Sequence, residues 1–532
     1  MRAMNMKNTI LKARLLLAPM VAVALTATLQ AAAPGITGPN FSLIAQPAYM
    51  TQPDGAAIYS WGYGCNGNPT GYAPAAITNA FCNGMQVPGP TLIVTEGVPV
   101  TVTLTNGLPN AAGNTSILFP GFNVASTGGV GGLLTKEAVP NGTVIYSFTA
   151  SSPGTRAYYS GTQGDLQVEM GLYGAIIVLP ASVPASCNTG LAAANLLVEA
   201  AHGESDFRLA NAAYNHPKAC YDREYLFQFS EMDADIHRQT LEQLKTLGAC
   251  TAGAAGCSLQ VATEPYIPDY FMINGRSMPD DMDSNYAAQY PHQPYNGNPH
   301  MHPGEQVLIR VVGQGRWQHP FHEHGNHVRI LGRDGNLILS QSDANMLAGP
   351  LLFTTTTTPG IAFDGIYYWS GKGLNWDAYG HNPTSGDPNA KLPCNPDGNG
   401  YNTVNSSPPA SVSAINYYEW CQDHNKPVQV APVGDVAANG PVTLPDPNIL
   451  ANGAWFGGSP YLGANATVRA VGSTGTTPPS GTVANSPSDE AGFAFMWHSH
   501  NEREITTNNI FPGGMLMMML VDSREFVIDE SN

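Results

Sequence analysis

Alternation of apolar and polar residues with a period of two is the main pattern of the N-terminal third of the chain. In GPTLIVTEGVPVTVTLTNGLP (Gly89–Pro109), the aliphatic residues from Val98 to Leu104 share one parity and the threonines share the other. Such alternation is typical of strands with one buried face. The strings NGTVIYSFTA and MGLYGAIIVLP predict two further strands. Together these strands predict a β-sandwich over residues 34–182.

A second group of strands follows a connecting segment. Residues 183–220 contain prolines, cysteines and an alanine-rich patch, and we interpret them as a linker. From residue 221 to 532, the strings DREYLFQFSEMDADIH, YFMINGRSMP, EQVLIRVVG, GFAFMWHSH and GGMLMMMLVD predict the strands of a second sandwich, with a short helix around Arg238–Leu247. A layout with a third, middle sandwich is the alternative, but residues 183–265 are too few for one.

The segment over about residues 365–490 has few apolar positions and many Gly, Pro, Asn and Asp residues. We predict that it is a long, loop-rich insertion in the second domain. The whole chain of 532 residues has 57 Gly and 43 Pro but only 11% charged residues, which favours an all-β protein. The fold class expected is therefore all-β, with two sandwich domains.

The first 31 residues resemble a secretory signal peptide. Basic residues come first, then the apolar run Leu15–Leu25, then small residues near Ala31. An uncleaved anchor is the alternative. Since no later run of 18 apolar residues exists, we expect no membrane span after signal cleavage and a secreted or periplasmic protein.

Net charge and cysteine content indicate which partners and which cellular compartment to expect. The formal charge is −17, and removal of the signal, with its four basic and no acidic residues, leaves about −21. Such a surface repels phosphate backbones, so nucleic acid is not an expected partner. Eight cysteines without a CxxC motif indicate disulfides in an oxidising compartment. Pairing them in chain order gives four local loops, one of many possible connectivities.

Histidines cluster in two short segments. RWQHPFHEHGNH contains four of the 14 histidines of the chain, and FMWHSHNERE contains a pair; they are His319, His322, His324 and His327, and His498 and His500. In an extended strand the two residues of an HxH pair point to one face. Imidazole binds copper, zinc, iron and nickel, so the pattern predicts a metal site without choosing the metal. Core histidines without a metal are the alternative.

These strings resemble the multicopper oxidase family, whose domains are cupredoxin Greek-key sandwiches. VPGPTLIVTEGVPVTVTLTN resembles the family's opening strands, HPFHEHG resembles its HPxHxHG motif, and WHSH resembles its HCH motif. TSILFPGF and HSHNEREITTNNIFPGGM are similar to a less-studied bacterial branch of the superfamily. The resemblance implies copper as cofactor and oxidoreductase activity on a small molecule or a metal ion.

The first domain departs from the family pattern at its ligand positions. The family has a histidine pair in IHWHG, where this chain has ILFPG with Leu118 and Pro120. It has a second pair in WYHSH, where this chain has AYYSG with Tyr159 and Gly161. Half of the eight ligands of the family's three-copper cluster are therefore expected to be missing.

The family's separate blue (type 1) copper site also departs from the pattern. Ser499 stands at the cysteine position and Glu504 at the second histidine position, while His319 is kept and Met515 is displaced. A blue copper site needs a thiolate and two imidazoles. We expect no type 1 copper in this protein.

The remaining residues define the predicted site. We expect copper, with fewer than four ions, and the predicted metal ligands are His322, His324, His498, His500 and His319. The resemblance implies that the first four face the first domain. The function expected is a copper oxidoreductase that does not use the laccase mechanism; the alternative is a non-catalytic copper-binding or scaffold protein. The run GGMLMMML is predicted to be a core strand rather than a thioether copper site.

Overall fold

The protein is described by a computed structural model. It describes residues 33–73, 82, 84–189, 200, 203–204, 208–302, 305–369, 458–462, 483–484, 491–522 and 528. Most of the predicted insertion, the predicted signal segment and two cysteines (Cys394 and Cys421) lie outside these residues.

Two five-stranded sheets and a short ribbon form the first sandwich. Its strands are β1 (Gly35–Thr37), β2 (Asn40–Thr51), β3 (Ala57–Cys65), β4 (Tyr72–Ala73), β5 (Leu92–Thr95), β6 (Pro99–Asn106), β7 (Ala125–Gly128), β8 (Val130–Gly131), β9 (Lys136–Glu137), β10 (Thr143–Thr149), β11 (Gly154–Tyr159) and β12 (Tyr173–Leu179). Sheet 1 has the order β11-β12-β5-β1-β4 and sheet 2 has the order β3-β2-β6-β10-β7, while β8 and β9 pair with each other.

The alternating pattern of the sequence accounts for the core of this sandwich. In β6 the residues Val100, Val102 and Leu104 are at most 1% exposed, while the threonines between them are half-buried. These valines and leucine meet residues of sheet 1 such as Leu92 and Ile176 in one hydrophobic cluster. The first sandwich therefore closes by burial of one face of each sheet.

Two further sheets form the second sandwich. Its strands are β13 (Arg223–Met232), β14 (Tyr270–Ile273), β15 (His300–Met301), β16 (Gln306–Gly313), β17 (His319–Glu323), β18 (Val328–Arg333), β19 (Asn336–Leu337), β20 (Leu351–Leu352), β21 (Thr354–Thr357), β22 (Ala362–Tyr368), β23 (Gly458–Leu462), β24 (Val483–Ala484), β25 (Ala491–Ser499) and β26 (Leu516–Asp522). Sheet 3 has the order β14-β13-β16-β22-β18-β19, with β20 paired to β18. Sheet 4 has the order β15-β26-β25-β17-β21, with β23 and β24 at β25.

The four sheets are stacked in the order 2-1-3-4. Aromatic and aliphatic residues of sheets 3 and 4, such as Phe227, Phe321 and Trp497, share one core. The other face of sheet 1 packs through Ile177 against Leu226 of sheet 3. Sheet 4 is therefore the layer that lies farthest from the first sandwich.

Helices are few in the described residues. α1 (Gly164–Gln167) is a single turn, and α2 (Ala234–Leu247) is the predicted short helix. Asp233 caps α2 by accepting hydrogen bonds from the backbone N–H groups of Asp235 and Ile236. Three 3-10 turns complete the elements: Asn110–Ala112, Ala185–Asn188 and Asp280–Met282. In the described part of the chain, no helix has the length and apolar content that a membrane crossing requires.

The predicted all-β sandwich fold is confirmed. Three disulfides follow chain order, Cys65–Cys82, Cys187–Cys220 and Cys250–Cys257. The methionine-rich run forms β26, where Met517 and Met519 are fully buried in the core, as predicted. The boundaries assigned to the domains, the linker and the signal segment remain predictions.

Candidate metal centre

Two neighbouring strands of sheet 4 bring the histidine pairs together. β17 and β25 are antiparallel, and His322 lies directly opposite His498. Phe321 points into the core between sheets 3 and 4, so His322 points to the opposite, outer face of sheet 4. The HxH spacing places His324 on that same face, beside His322.

Three of these imidazoles form a compact group. Nitrogen atoms of His322, His324 and His498 all lie within 4.8 Å of one another. The Nε2 atoms of His324 and His498 are 3.2 Å apart. The three side chains are largely buried, with exposures of 3%, 9% and 6% respectively. Three imidazole nitrogens at this spacing match the donor set of an open, three-histidine metal site.

Hydrogen bonds occupy the Nδ1 atoms of two of these rings. Nδ1 of His322 lies 2.6 Å from the hydroxyl of Thr354, and Nδ1 of His498 lies 2.7 Å from the carbonyl oxygen of Ser499. The carbonyl accepts a hydrogen from His498, which therefore carries it on Nδ1. Nε2 of His498 therefore carries the lone pair that a metal would need.

Burial and the neighbouring histidines keep two of the rings, His322 and His498, neutral. Burial, followed by the neighbouring histidines, lowers the pKa of His322 to about 3. Burial also lowers the pKa of His498, despite the opposing hydrogen bond to Ser499. Since only a neutral imidazole has a free lone pair, these rings are ready to bind a metal at neutral pH.

His500 lies at the solvent side of the group. Its side chain is 53% exposed, and its ring centre is 4.8 Å from that of His322. Nδ1 of His500 is 3.9 Å from the exposed carboxylate of Glu502. Phe353, half exposed, packs edge-on against His322 and also against His327. The site therefore opens to solvent beside His500 and Phe353.

Part of the first sandwich is similar in sequence to proteins of known function. Residues 69–182 match the family model described as Multicopper oxidase. The chain is 39% identical over 107 residues to the iron transport multicopper oxidase of Saccharomyces cerevisiae, covering 19% of this chain and 16% of that protein. It is 36% identical over 97 residues to the copper-containing nitrite reductase of Pseudomonas chlororaphis, covering 18% of this chain and 25% of that protein. Over residues 69–182 the chain is similar to the multicopper oxidase family.

These sequence matches cover only a small part of each protein. The aligned stretches span a quarter or less of the length of these two relatives. Among solved structures, the blue copper oxidase from Nitrosomonas europaea covers 90% of this chain and 85% of its own chain, at 14% identity and a TM-score of 0.42. The family model matches residues of the first sandwich, while the candidate metal centre lies in the second.

The first-domain positions that align with the family's ligands are filled by packing. Leu118 and Tyr159 pair through backbone hydrogen bonds. A β-carbon at Gly161 would lie 2.8 Å from Cγ of Leu118, so the leucine occupies the space of a side chain there. The pair of positions that the superfamily uses for imidazoles is therefore closed by a hydrocarbon side chain.

The four histidines also face a direction that the resemblance did not imply. They were expected to face the first domain, yet that domain packs against sheet 3 through Leu226 and Ala362. The histidines lie on the outer face of sheet 4, on the far side of the second sandwich. Within one chain, the expectation that they face the first domain is wrong.

His319 is not part of the imidazole group. It points into the core side of β17, and its two ring nitrogens lie 2.9 Å from a carboxylate oxygen of Glu231 and 2.8 Å from one of Glu504. Burial alone would lower the pKa of His319, but the hydrogen bonds to the two carboxylates outweigh it and raise the pKa to about 9. The structure thus places His319 as a cation between two carboxylates, with neither nitrogen free for a metal.

The same carboxylate links His319 to the serine at the cysteine position. Ser499 donates its hydroxyl hydrogen to Glu504, and the amide of Asn501 donates to the other oxygen of that carboxylate. Met515 is buried nearby and exchanges backbone hydrogen bonds with Ser499 and Glu504. A hydrogen-bonded network of protein groups therefore fills the position of the superfamily's blue copper.

Sequence reasoning missed two residues of these sites. Glu231 lies 88 residues before His319, and Thr354 lies 32 residues after His322. Neither belongs to a histidine motif. The stacking of sheets 3 and 4 brings Glu231 to His319, and the pairing of β17 with β21 brings Thr354 to His322. The only local signal for Thr354 was its place in a run of threonines, where alternate residues of a strand point to opposite faces.

Proposed function

We propose that this protein is a secreted or periplasmic copper oxidoreductase that holds copper through His322, His324 and His498, with His500 at the open side. The observation that carries the proposal is the grouping of three imidazoles, with nitrogen atoms within 4.8 Å of one another, on the outer face of sheet 4. The similarity of residues 69–182 to the multicopper oxidase family makes copper the first metal to consider. The three disulfides support an oxidising compartment.

The chemistry would differ from that of laccase. Copper bound there would supply a Lewis acid and a one-electron centre. His322, His324 and His498 would fix its position because their Nδ1 bonds or their burial restrict ring rotation, whereas the exposed His500 is free to exchange with a substrate. Ser499 and Glu504 offer no thiolate and imidazole for an electron-entry copper, so a small-molecule or metal-ion substrate would react directly at the open side.

A non-catalytic copper-binding protein is the second candidate. The observation that favours it is the closure of both other copper positions, by Leu118 in the first domain and by the Glu504–His319 pair in the second. A protein that has replaced these positions with packing and hydrogen bonds could retain the imidazole group for binding alone. Turnover separates the two candidates.

The test is copper content and turnover of the purified full-length protein. After reconstitution with Cu(II), we expect bound copper with the EPR signature of nitrogen ligands and no thiolate-to-copper charge-transfer band. His324→Ala should lose most of this copper, while His327→Ala, in the same segment but outside the group, should keep it. Assays with phenols, Mn(II), Fe(II) and nitrite then test turnover.

The outcomes discriminate between the candidates. Copper with turnover supports the oxidoreductase. Copper without turnover of any of these substrates favours the binding protein. Protein that stays free of copper after reconstitution overturns both.

A further inference from the structure

A small cavity lies at the junction of the two sandwiches. Its wall includes Thr91, which directly precedes β5 of the first sandwich, and Leu226 of β13 in the second. Tyr295 and Asn296 line it from the segment that precedes β15. Its volume, measured as the space open to the centre of a water molecule, is about 10 Å³. That is close to the smallest volume that holds one water molecule, so the cavity has room for a single small guest.

Two polar atoms of this wall have no hydrogen-bond partner among the described residues. They are the hydroxyl oxygen of Thr91 and the amide nitrogen Nδ2 of Asn296, and both atoms are shielded from bulk solvent. Thr91 as a whole is 0% exposed. A buried polar group without a partner destabilises the folded protein, and native structures usually supply a partner from the protein or from ordered water. The two atoms line the same cavity, so one guest can serve both.

Hydrogen bonds within the protein hold the backbone of both residues in place. The backbone N–H of Thr91 donates to the hydroxyl of Tyr295 at 3.2 Å. The backbone N–H of Asn296 donates to Oδ1 of Asn285 at 2.9 Å, and its carbonyl oxygen accepts from Nδ2 of Asn274 at 2.6 Å. These bonds join the two walls to each other and to neighbouring segments. The hydroxyl of Thr91 and Nδ2 of Asn296 are therefore fixed at the cavity.

The chemistry of the wall selects the guest. Nδ2 of Asn296 is a hydrogen-bond donor, which disfavours a metal cation beside it. None of the described residues that line the cavity is charged, and a buried anion without a countercharge is strongly disfavoured. A water molecule can accept a hydrogen from Asn296 and can either donate to or accept from the hydroxyl of Thr91. The hydroxyl of Tyr295, in the same wall, offers a third polar group, and buried waters typically have about three partners.

We infer that this cavity is a binding site for one structural water molecule, which accepts a hydrogen from Asn296 and bonds to the hydroxyl of Thr91. Because Thr91 belongs to the first sandwich and Asn296 to the second, this water joins the two sandwiches. Near it, Ile93 and Leu226 belong to the apolar cluster between sheets 1 and 3. The water thus adds a polar bridge to an apolar junction. The inference is independent of the proposed function, since it uses no residue of the metal centre.

Crystal structures of the full-length protein and of three variants test the site. Thr91→Val removes the hydroxyl at nearly constant volume, Thr91→Ser keeps it, and Thr95→Val makes the same change at the exposed end of β5. We expect a density peak within hydrogen-bond distance of both polar atoms in the wild type, in Thr91→Ser and in Thr95→Val. The peak should be lost in Thr91→Val. An unfilled cavity in the wild type would overturn the inference, as would an anomalous bromide peak there after a bromide soak, since the guest would then be an anion.

A second measurement counts internal waters in solution. Magnetic relaxation dispersion of the water signal reports how many water molecules stay bound for longer than the protein takes to tumble. We expect Thr91→Val to hold one such water fewer than the wild type, and Thr91→Ser and Thr95→Val to hold the wild-type number. An equal count in Thr91→Val and the wild type would contradict the assignment of the water to Thr91. If Thr91→Val does not fold, the wild-type crystal structure decides, because it shows directly whether the cavity is filled.

Discussion

Ser499 donates its hydroxyl hydrogen to Glu504, and this bond occupies the position where the superfamily places a thiolate and an imidazole around copper. Both residues are fully buried. Glu504 also accepts from His319 and from the amide of Asn501. The position is thus built as a network in which each polar group has a protein partner.

We expect that the substitution Ser499→Cys alone does not create a blue copper site. In Ser499→Cys the thiol would face Glu504, while both nitrogens of His319 stay bonded to carboxylates. A blue site needs two imidazoles beside the thiolate, and this position then has none free. The measurement is the visible spectrum of the copper-loaded variant, with Ser499→Ala as control. An intense thiolate-to-copper band in Ser499→Cys alone would contradict the arrangement described for His319.

The charge on His319 predicts a pH dependence of stability. Its pKa of about 9 in the folded state is higher than the ordinary value of 6.5 that applies to the unfolded chain. The stabilisation is therefore fully present below pH 6.5 and is lost as the pH rises through 9. A difference of this size corresponds to about 3 kcal/mol. We expect His319→Gln to destabilise the protein more at pH 6 than above the folded-state pKa.

Urea unfolding of wild type and His319→Gln at several pH values measures this effect. Other groups titrate in both proteins, so the difference between the two unfolding free energies isolates His319. That difference should shrink by about 3 kcal/mol from slightly acidic to clearly alkaline pH. A constant difference across the range would mean that His319 does not change its protonation state on unfolding.

Sequence patterns predicted the parts of this fold that depend on local period. The alternation in β6 predicted its buried face, and the HxH spacing predicted that His322 and His324 share a side of β17. Partners that depend on tertiary pairing could not be predicted in the same way. Glu231, on a strand of sheet 3, meets His319 of sheet 4 only because the two sheets stack.

Comparison with the family's motifs predicted which copper ligands are missing, but not which contacts take their place. Leu118 and Ser499 were identified as residues without ligand capacity for copper at positions where the family has ligands. The motif did not indicate that the leucine would fill the space above Gly161, or that the serine would share Glu504 with His319. His319 was predicted as a metal ligand because its motif is intact; its two carboxylate partners lie on other segments of the chain.

The contact between Leu118 and Gly161 predicts a coupled pair of mutations. Because an added β-carbon at Gly161 would lie 2.8 Å from Leu118 Cγ, Gly161→Ala should destabilise the protein by about 1–3 kcal/mol through overpacking. In a Leu118→Ala background the same change should cost less, since the methyl then has room. A double-mutant cycle by chemical denaturation measures the coupling, expected at about 1 kcal/mol. Additive effects would show that the leucine does not fill this space.

The last prediction concerns the junction of the two sandwiches, where Asp364 of sheet 3 joins three parts of the chain. Its carboxylate accepts hydrogen bonds from Thr155 of the first sandwich, from Tyr214 of the connecting segment and from Arg310 of sheet 3. Asp364 is 1% exposed, so each of these bonds lies away from water. Removal of the carboxylate would leave the buried guanidinium of Arg310 with one carboxylate partner, Glu224, and the hydroxyl of Thr155.

We therefore expect Asp364→Ala to lower the unfolding free energy by about 3–5 kcal/mol, the usual cost of breaking a buried ion pair. Thr155→Val removes one neutral hydroxyl, which donates to Asp364 and accepts from Arg310, and should cost only about 1–2 kcal/mol. Chemical denaturation of both variants gives the comparison. Because Thr155 lies in the first sandwich and Arg310 in the second, a large loss in Asp364→Ala would mean that this carboxylate stabilises their junction. Stability of Asp364→Ala equal to that of Thr155→Val would mean that Glu224 and Thr155 satisfy Arg310 without Asp364.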